Sequence, residues 1–203
     1  MCIKNIFFVR HAQTTFNADK ILQGQRYDSI LSNLGVIQSD ILYSNFKDIG
    51  IDKIYISGLK RSYLSAKKLI LSNIPYEIIN ELNEISWGII EGNKLFSETK
   101  EKYLQVINDW KIGKYSAKIE NGENLCEVLV RLNKAIKIIM EKKNEENILV
   151  VTHGRVLKII LCILLKLDIK EMDNFQHKNM TMYHVLYKEN KFKIIKKEEL
   201  ILA

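Results

Sequence analysis

FFVRHAQTTFN, residues 7–17, sets the frame for the rest of the chain. With Ile3 and Ile6, Phe7–Val9 make a short β-rich apolar run that stops at Arg10, which predicts a buried strand. His11 then leaves the end of that strand, where the scaffold holds it as a nucleophile must be held. VVTHGRVLKII, residues 150–160, repeats the arrangement: an apolar strand from Ile148 to Thr152, then His153, Gly154 and a helix to Leu165. One histidine at a strand end can be a plain strand cap. Two at equivalent places call for a common purpose.

The segments between them alternate strand and helix. Ser32 caps a predicted helix from Leu34 to Ile49, and Asp52–Ser57 reads as a strand followed by a helix over Lys60–Leu71. Tyr76–Ile79 reads as a third strand. Ser97–Trp110 and Glu123–Lys143 carry helical spacing. Met180–Leu186 and Phe192–Ile195 close the chain as two strands, with a turn at Glu189 and Asn190. This order predicts an α/β three-layer sandwich, with a mostly parallel central sheet flanked by helices. Residues 1–203 read as a single domain with an insert around 93–121. Ligands of such sheets collect beyond the carboxyl ends of the strands. Arg10, His11, the Ser57–Arg61 segment and His153 should therefore meet on one rim.

Those residues suit an anion. The Arg10 guanidinium matches phosphate oxygens, Thr14 and Asn17 add neutral donors, and Arg61 can point back over the rim. Gly154 lets a ligand approach a helix N-terminus closely. Glu84 follows the third strand. Beside a bound dianion, like charge favours the protonated form of a carboxyl, as a general acid requires. A metal site would need further ligands, and Arg10 would repel the cation. No metal or cofactor is expected. His177 and His184 show no ligand spacing and read as surface or structural.

The bulk properties exclude other classes. The net charge of +7 comes from lysines spread along the whole chain, with no nucleic-acid motif, so a solvated surface is the reading and no nucleic-acid partner is expected. Cys2, Cys126 and Cys162 fit neither a disulfide framework nor metal spacing. The apolar run Val156–Leu167 is short and interrupted by Lys158, and the N-terminus does not read as a signal peptide. A cytoplasmic protein without a membrane partner is expected. A homodimer stands open beside a monomer.

Together the segments resemble the histidine phosphatase superfamily, which holds cofactor-dependent phosphoglycerate mutases and many small phosphatases. FFVRHAQTTFN, LQGQRYDSILSNLGVIQ, IYISGLKRSYLSA, LNEISWGIIEG, NGENLCEVLVRL and VVTHGRVLKII match its blocks in order. The resemblance implies that His11 is phosphorylated and Glu84 donates the proton. Arg10, Arg61 and His153 would hold the phosphoryl group, with Asn17 and the Gln23–Gly24 loop in contact. It also marks departures. Gly58 stands where an aspartate is usual, which is expected to loosen the turn carrying Arg61. Lys158 replaces a common arginine, and Asn124 a common serine.

The short segment between Glu84 and the Gly122–Glu123 block lacks the mutases' long insertion, and favours hydrolysis because a mutase must shield its phosphoenzyme from water. A metal-independent phosphomonoesterase for a small phosphorylated metabolite follows. It is similar to ribazole phosphatases and to broad-specificity phosphatases; a mutase or an inactive phosphate-binding module are the alternatives. Lys94, Phe96, Trp110, Lys111, Lys114 and Tyr115 of the insert, with Trp87 and Tyr27, are expected to shape specificity. Trp110 could equally anchor the core.

Overall fold

The computed structural model describes residues 3–200. Six strands form one sheet: β1 (Lys4–Arg10), β2 (Lys53–Ile56), β3 (Tyr76–Ile78), β4 (Asn147–Thr152), β5 (Thr181–Lys188) and β6 (Lys191–Glu199). Their order is β3-β2-β4-β1-β5-β6. The first four run parallel, and β5 and β6 add an antiparallel hairpin beside β1. Glu189 and Asn190 both have positive φ at its tip, the conformation that a two-residue hairpin requires.

The expected sandwich is present. In β1, Phe7 and Val9 face one core cluster while Ile6 and Phe8 face another. In β4, Leu149 and Val151 divide from Ile148 and Val150 in the same way. Both faces of these central strands are covered, which is why they read as continuous apolar runs. Each fully buried side chain of this size contributes about 1.5–3 kcal/mol. The helices α2 (Asn33–Phe46) and α3 (Lys60–Leu71) cover one face through Leu42, Phe46, Ala66 and Leu69. On the other lie α5 (Leu125–Glu141) and α6 (Gly154–Leu165). The Ser32 side chain caps α2 by accepting from Gly35 N–H, as read from the sequence.

A four-residue helix, α1 (Thr15–Ala18), was not expected. Thr14 and Asn17 close it as a capping box, each side chain accepting the other's backbone N–H. Within 93–121 stands α4 (Ser97–Lys111). The insert joins the body through backbone hydrogen bonds of residues 92–95 to Lys20 and Leu22, and through Trp110. The Trp110 ring is fully buried and stacks on Trp87, with its indole N–H donating to the Ala117 carbonyl. Trp110 is thus a core anchor.

No helix among the described residues is long and apolar enough to cross a membrane. Cys126 and Cys162 are free thiols, and Cys2 lies outside the described residues.

Candidate active site

The register of the two central strands sets the site. Arg10 pairs with Thr152, and His11 N–H donates to the Thr152 carbonyl at 2.9 Å, so His11 and His153 leave the sheet side by side. Their ring centroids are 5.1 Å apart. Beyond these strand ends opens a cavity of about 290 Å³. Arg10, His11, Asn17, Gln23, Arg61, Glu84 and Gly154 line it, and Trp87, Leu95, Tyr103, Arg155, Lys158, Gln176 and His177 complete much of the remaining wall.

His11 has one ring nitrogen committed. Its Nδ1 lies 2.7 Å from the Ala12 carbonyl oxygen, which can only accept, so Nδ1 carries the proton and Nε2 keeps its lone pair. Burial, then Arg61 and Arg10, hold the His11 pKa well below the ordinary histidine value. The ring is neutral and nucleophilic at pH 7.

Arg10 lies under Gly154, where an added Cβ would touch the guanidinium at 3.4 Å. Its Nη1 donates to the His177 carbonyl, while its buried Nε has no protein acceptor. A buried donor without a partner costs about 1–3 kcal/mol, so the site carries an unmet demand for an anion. Arg61 is almost fully buried and spreads its donors over His153 Nδ1, Asp28 Oδ1 and the Gly24 carbonyl. Asp28 also accepts from Lys60 and Arg61 N–H, capping an α3 whose N-cap residue, Leu59, offers no side-chain cap. One carboxylate therefore orients both the helix and its arginine.

His153 is placed behind His11. It is fully buried, accepts from Arg61 on Nδ1 and so donates from Nε2 to Ser57 Oγ at 2.7 Å. Burial, Arg61 and His11 keep it neutral. Glu84 accepts from Ile85, Arg155 and Val156 N–H, which seats its carboxylate at the start of α6. Asn17 Oδ1 takes Thr14 N–H and Asn179 Nδ2–H. Thr14 and Gly24 are off the cavity wall. Thr14 Oγ1 accepts from Gln23, and the Gly24 N–H is given to Glu91.

Several expectations change. His177, read as surface or structural, is half-buried on the cavity wall: its Nε2–H donates to the Gly154 carbonyl, and burial with Arg10 pushes its pKa down to about 3. His184 is structural, stacked on Phe7 and bonded to Asn5. The turn at Gly58 is not loose, because Gly58 N–H donates to Asn83 Oδ1 and a Cβ there would stand 2.1 Å from Asn80 Oδ1. The insert reaches the cavity through Leu95 and Tyr103; Lys94, Phe96, Lys111, Lys114 and Tyr115 are off its wall, as is Tyr27. The sequence reading missed Arg155, Tyr103, Gln176 and His177. Arg155 had one available signal, its place directly after the His153–Gly154 strand end.

His153, expected to hold the phosphoryl group, is off the cavity wall, with Arg61 on its Nδ1 and Ser57 on its Nε2. A neutral imidazole and two guanidinium groups on one cavity wall, backed by a second imidazole at the strand ends of an α/β sheet, define an anion-handling enzyme of the histidine type. The chain belongs to the histidine phosphatase superfamily (branch 1), whose family model matches residues 6–199. A Hydrogenobacter thermophilus protein provisionally named phosphoserine phosphatase 2 is 30% identical over 180 residues, 87% of this chain and 86% of that one. A Yersinia pestis (strain Pestoides F) protein provisionally named phosphoglycerate mutase GpmB is 28% identical over 190 residues, 91% and 86% of the two chains. The crystal structure of the α-ribazole phosphatase from Shigella flexneri superposes with a TM-score of 0.81 at 26% identity, over 94% of each chain.

Proposed function

We propose that the protein is a metal-independent phosphomonoesterase for a small phosphorylated metabolite, working through a phosphohistidine at His11. The observation that carries this reading is the state of His11: neutral, its Nδ1 proton tied to the Ala12 carbonyl, and set in the cavity wall with Arg10, Arg61 and Glu84. In the first step Nε2 attacks phosphorus, the N–P bond forms and the ester P–O bond breaks. A proton from Glu84 goes to the departing oxygen, releasing the alcohol. In the second step water attacks phosphorus, gives its proton to Glu84, and breaks the N–P bond to release phosphate. The Arg10 Nε and the one Arg61 Nη2–H not given to Gly24 meet the phosphoryl oxygens, fixed before the reaction starts. His153 holds Arg61, Asn17 and Gln23 lie along the phosphoryl group, and Gly154 leaves it room. Thr14 and Gly24 support that wall. Residues 93–121 act as a partial cover over the leaving group.

The test is acid-labile labelling. After rapid quenching with p-nitrophenyl phosphate in EDTA, phosphate should be found on His11, and turnover should continue in the chelator. Activity that returns only with a divalent ion, or label on another residue, would overturn the reading.

The GpmB relative favours one second reading, a mutase. Incubation of 3-phosphoglycerate with catalytic 2,3-bisphosphoglycerate decides it: isomerisation faster than phosphate release would replace hydrolysis.

A further inference from the structure

Away from His11 the cavity carries a second set of cations that the phosphoryl chemistry leaves unused. Arg155 and Lys158, one turn apart on the same face of α6, both line it. Both are tied to one carboxylate, Asp173 in the short 3-10 turn Ile169–Asn174, at 2.6 Å from Arg155 Nη1 and 2.9 Å from Lys158 Nζ. Lys111 of α4 adds a third cation to that carboxylate at 3.2 Å. Arg155 Nη2 also donates to the Tyr103 hydroxyl at 2.8 Å, and that hydroxyl's own proton has no acceptor among the described residues.

The cavity wall is cationic. Arg10, Arg61, Arg155 and Lys158 line it with a single carboxylate, Glu84, while Asp28, Glu91 and Asp173 stand behind it. Burial, with Arg155 and Arg10 nearby, lowers the Lys158 pKa despite its bond to Asp173. Asp173, although burial opposes it, is held below the usual carboxylate range by Arg155 and Lys158.

From this we infer that Arg155, Lys158 and the Tyr103 hydroxyl form a second anion subsite, which selects phosphomonoesters whose leaving group carries its own carboxylate or phosphate. The inference rests on the phosphatase reading and narrows its substrate class. Asp173 acts as the resident counter-ion: it holds the two cations in place and shares them with the incoming anion. An ester whose leaving group is neutral makes no use of these donors.

The experiment compares esters that differ in a single group. 3-Phosphoglycerate and glycerol 3-phosphate differ by a carboxylate in place of a hydroxymethyl. 1,3-Propanediol bisphosphate and its monophosphate test a second phosphoryl group. Phosphate release should show kcat/KM at least about tenfold higher for one charged member over its neutral partner, with most of the difference in KM, since a charge-assisted hydrogen bond supplies that factor. Whichever pair shows the larger ratio identifies the anion. Lys158→Gln should cut that ratio about tenfold, and Lys158→Arg should retain it; a purely structural role would move both members equally. Ratios near one in the wild-type protein, with p-nitrophenyl phosphate still hydrolysed, would overturn this inference alone. Absence of turnover on every ester would instead remove the phosphatase reading. The wild-type ratios decide the matter even if the variants fold poorly.

Discussion

At one end of the cavity His11 and Arg10 leave β1, and Arg61 enters from the first turn of α3. Each is fixed by backbone or buried partners: the Ala12, Gly24 and His177 carbonyls, His153 and Asp28. At the other end Leu95 and Tyr103 come from the insert, Arg155 and Lys158 from α6, and Gln176 and His177 from the segment before β5. That wall is tied together by ion pairs through Asp173 rather than by strand register. The difference separates two tasks. Strand ends can hold reacting groups within the narrow tolerance that catalysis needs, while side-chain pairs on loops and helix faces can change with the substrate.

The largest expected effect lies at the strand ends. His11→Ala should lower kcat by at least about 10³-fold, the scale seen when a nucleophile is removed, with little change in Tm. His153→Ala should also be slow, but it strips partners from Arg61 and Ser57 and should lower Tm by several degrees. Equal thermal stability of the two variants would undo the assignment of one as nucleophile and the other as support. Glu84→Gln comes next, with a loss of roughly 10²-fold on alkyl phosphates and far less on p-nitrophenyl phosphate, whose leaving group needs no proton. An equal loss on both would remove the donor role.

Asp28→Asn sharpens the contrast further, because it weakens the half-buried ion pair with Arg61 and the cap on α3. It should raise KM several-fold for every ester alike, whereas changes at Lys158 should discriminate between esters. Stability against pH is a separate readout. His11, His153 and His177 have pKa values depressed in the folded protein. Unfolded chains take up these protons below about pH 6.5, so folded stability is present above that pH and falls as pH drops toward the depressed values. Each fully buried ring, His11 and His153, contributes a slope of roughly 1.4 kcal/mol per pH unit in that window. Melting curves from pH 7.5 to 5 should show the fall, and it should be shallower in His153→Ala relative to its own value at pH 7.5.

The catalytic end was legible in the sequence for a physical reason. Buried strands write themselves as apolar runs, and Arg10, His11 and His153 sit where those runs stop. The α3 boundaries agreed with the reading at both ends, Lys60 and Leu71. The short α1 was hidden because four residues hold no period, although its Thr14 and Asn17 box is local. The opposite wall left little trace. Tyr103 reaches the cavity from the middle of an ordinary amphipathic helix, and His177 from a loop without periodicity. Lys111 was singled out as a specificity residue, yet its partner is Asp173, 62 positions along the chain.

Gly58 couples two loops that lie far apart in the chain. Asn80 Oδ1 occupies the place where a side chain at this turn would begin, and Asn83 already holds the backbone N–H. A larger residue at position 58 fits only as far as the Asn80 side chain turns aside. Changes at positions 58 and 80 should therefore be non-additive, the pair together costing less than the sum of the two made singly.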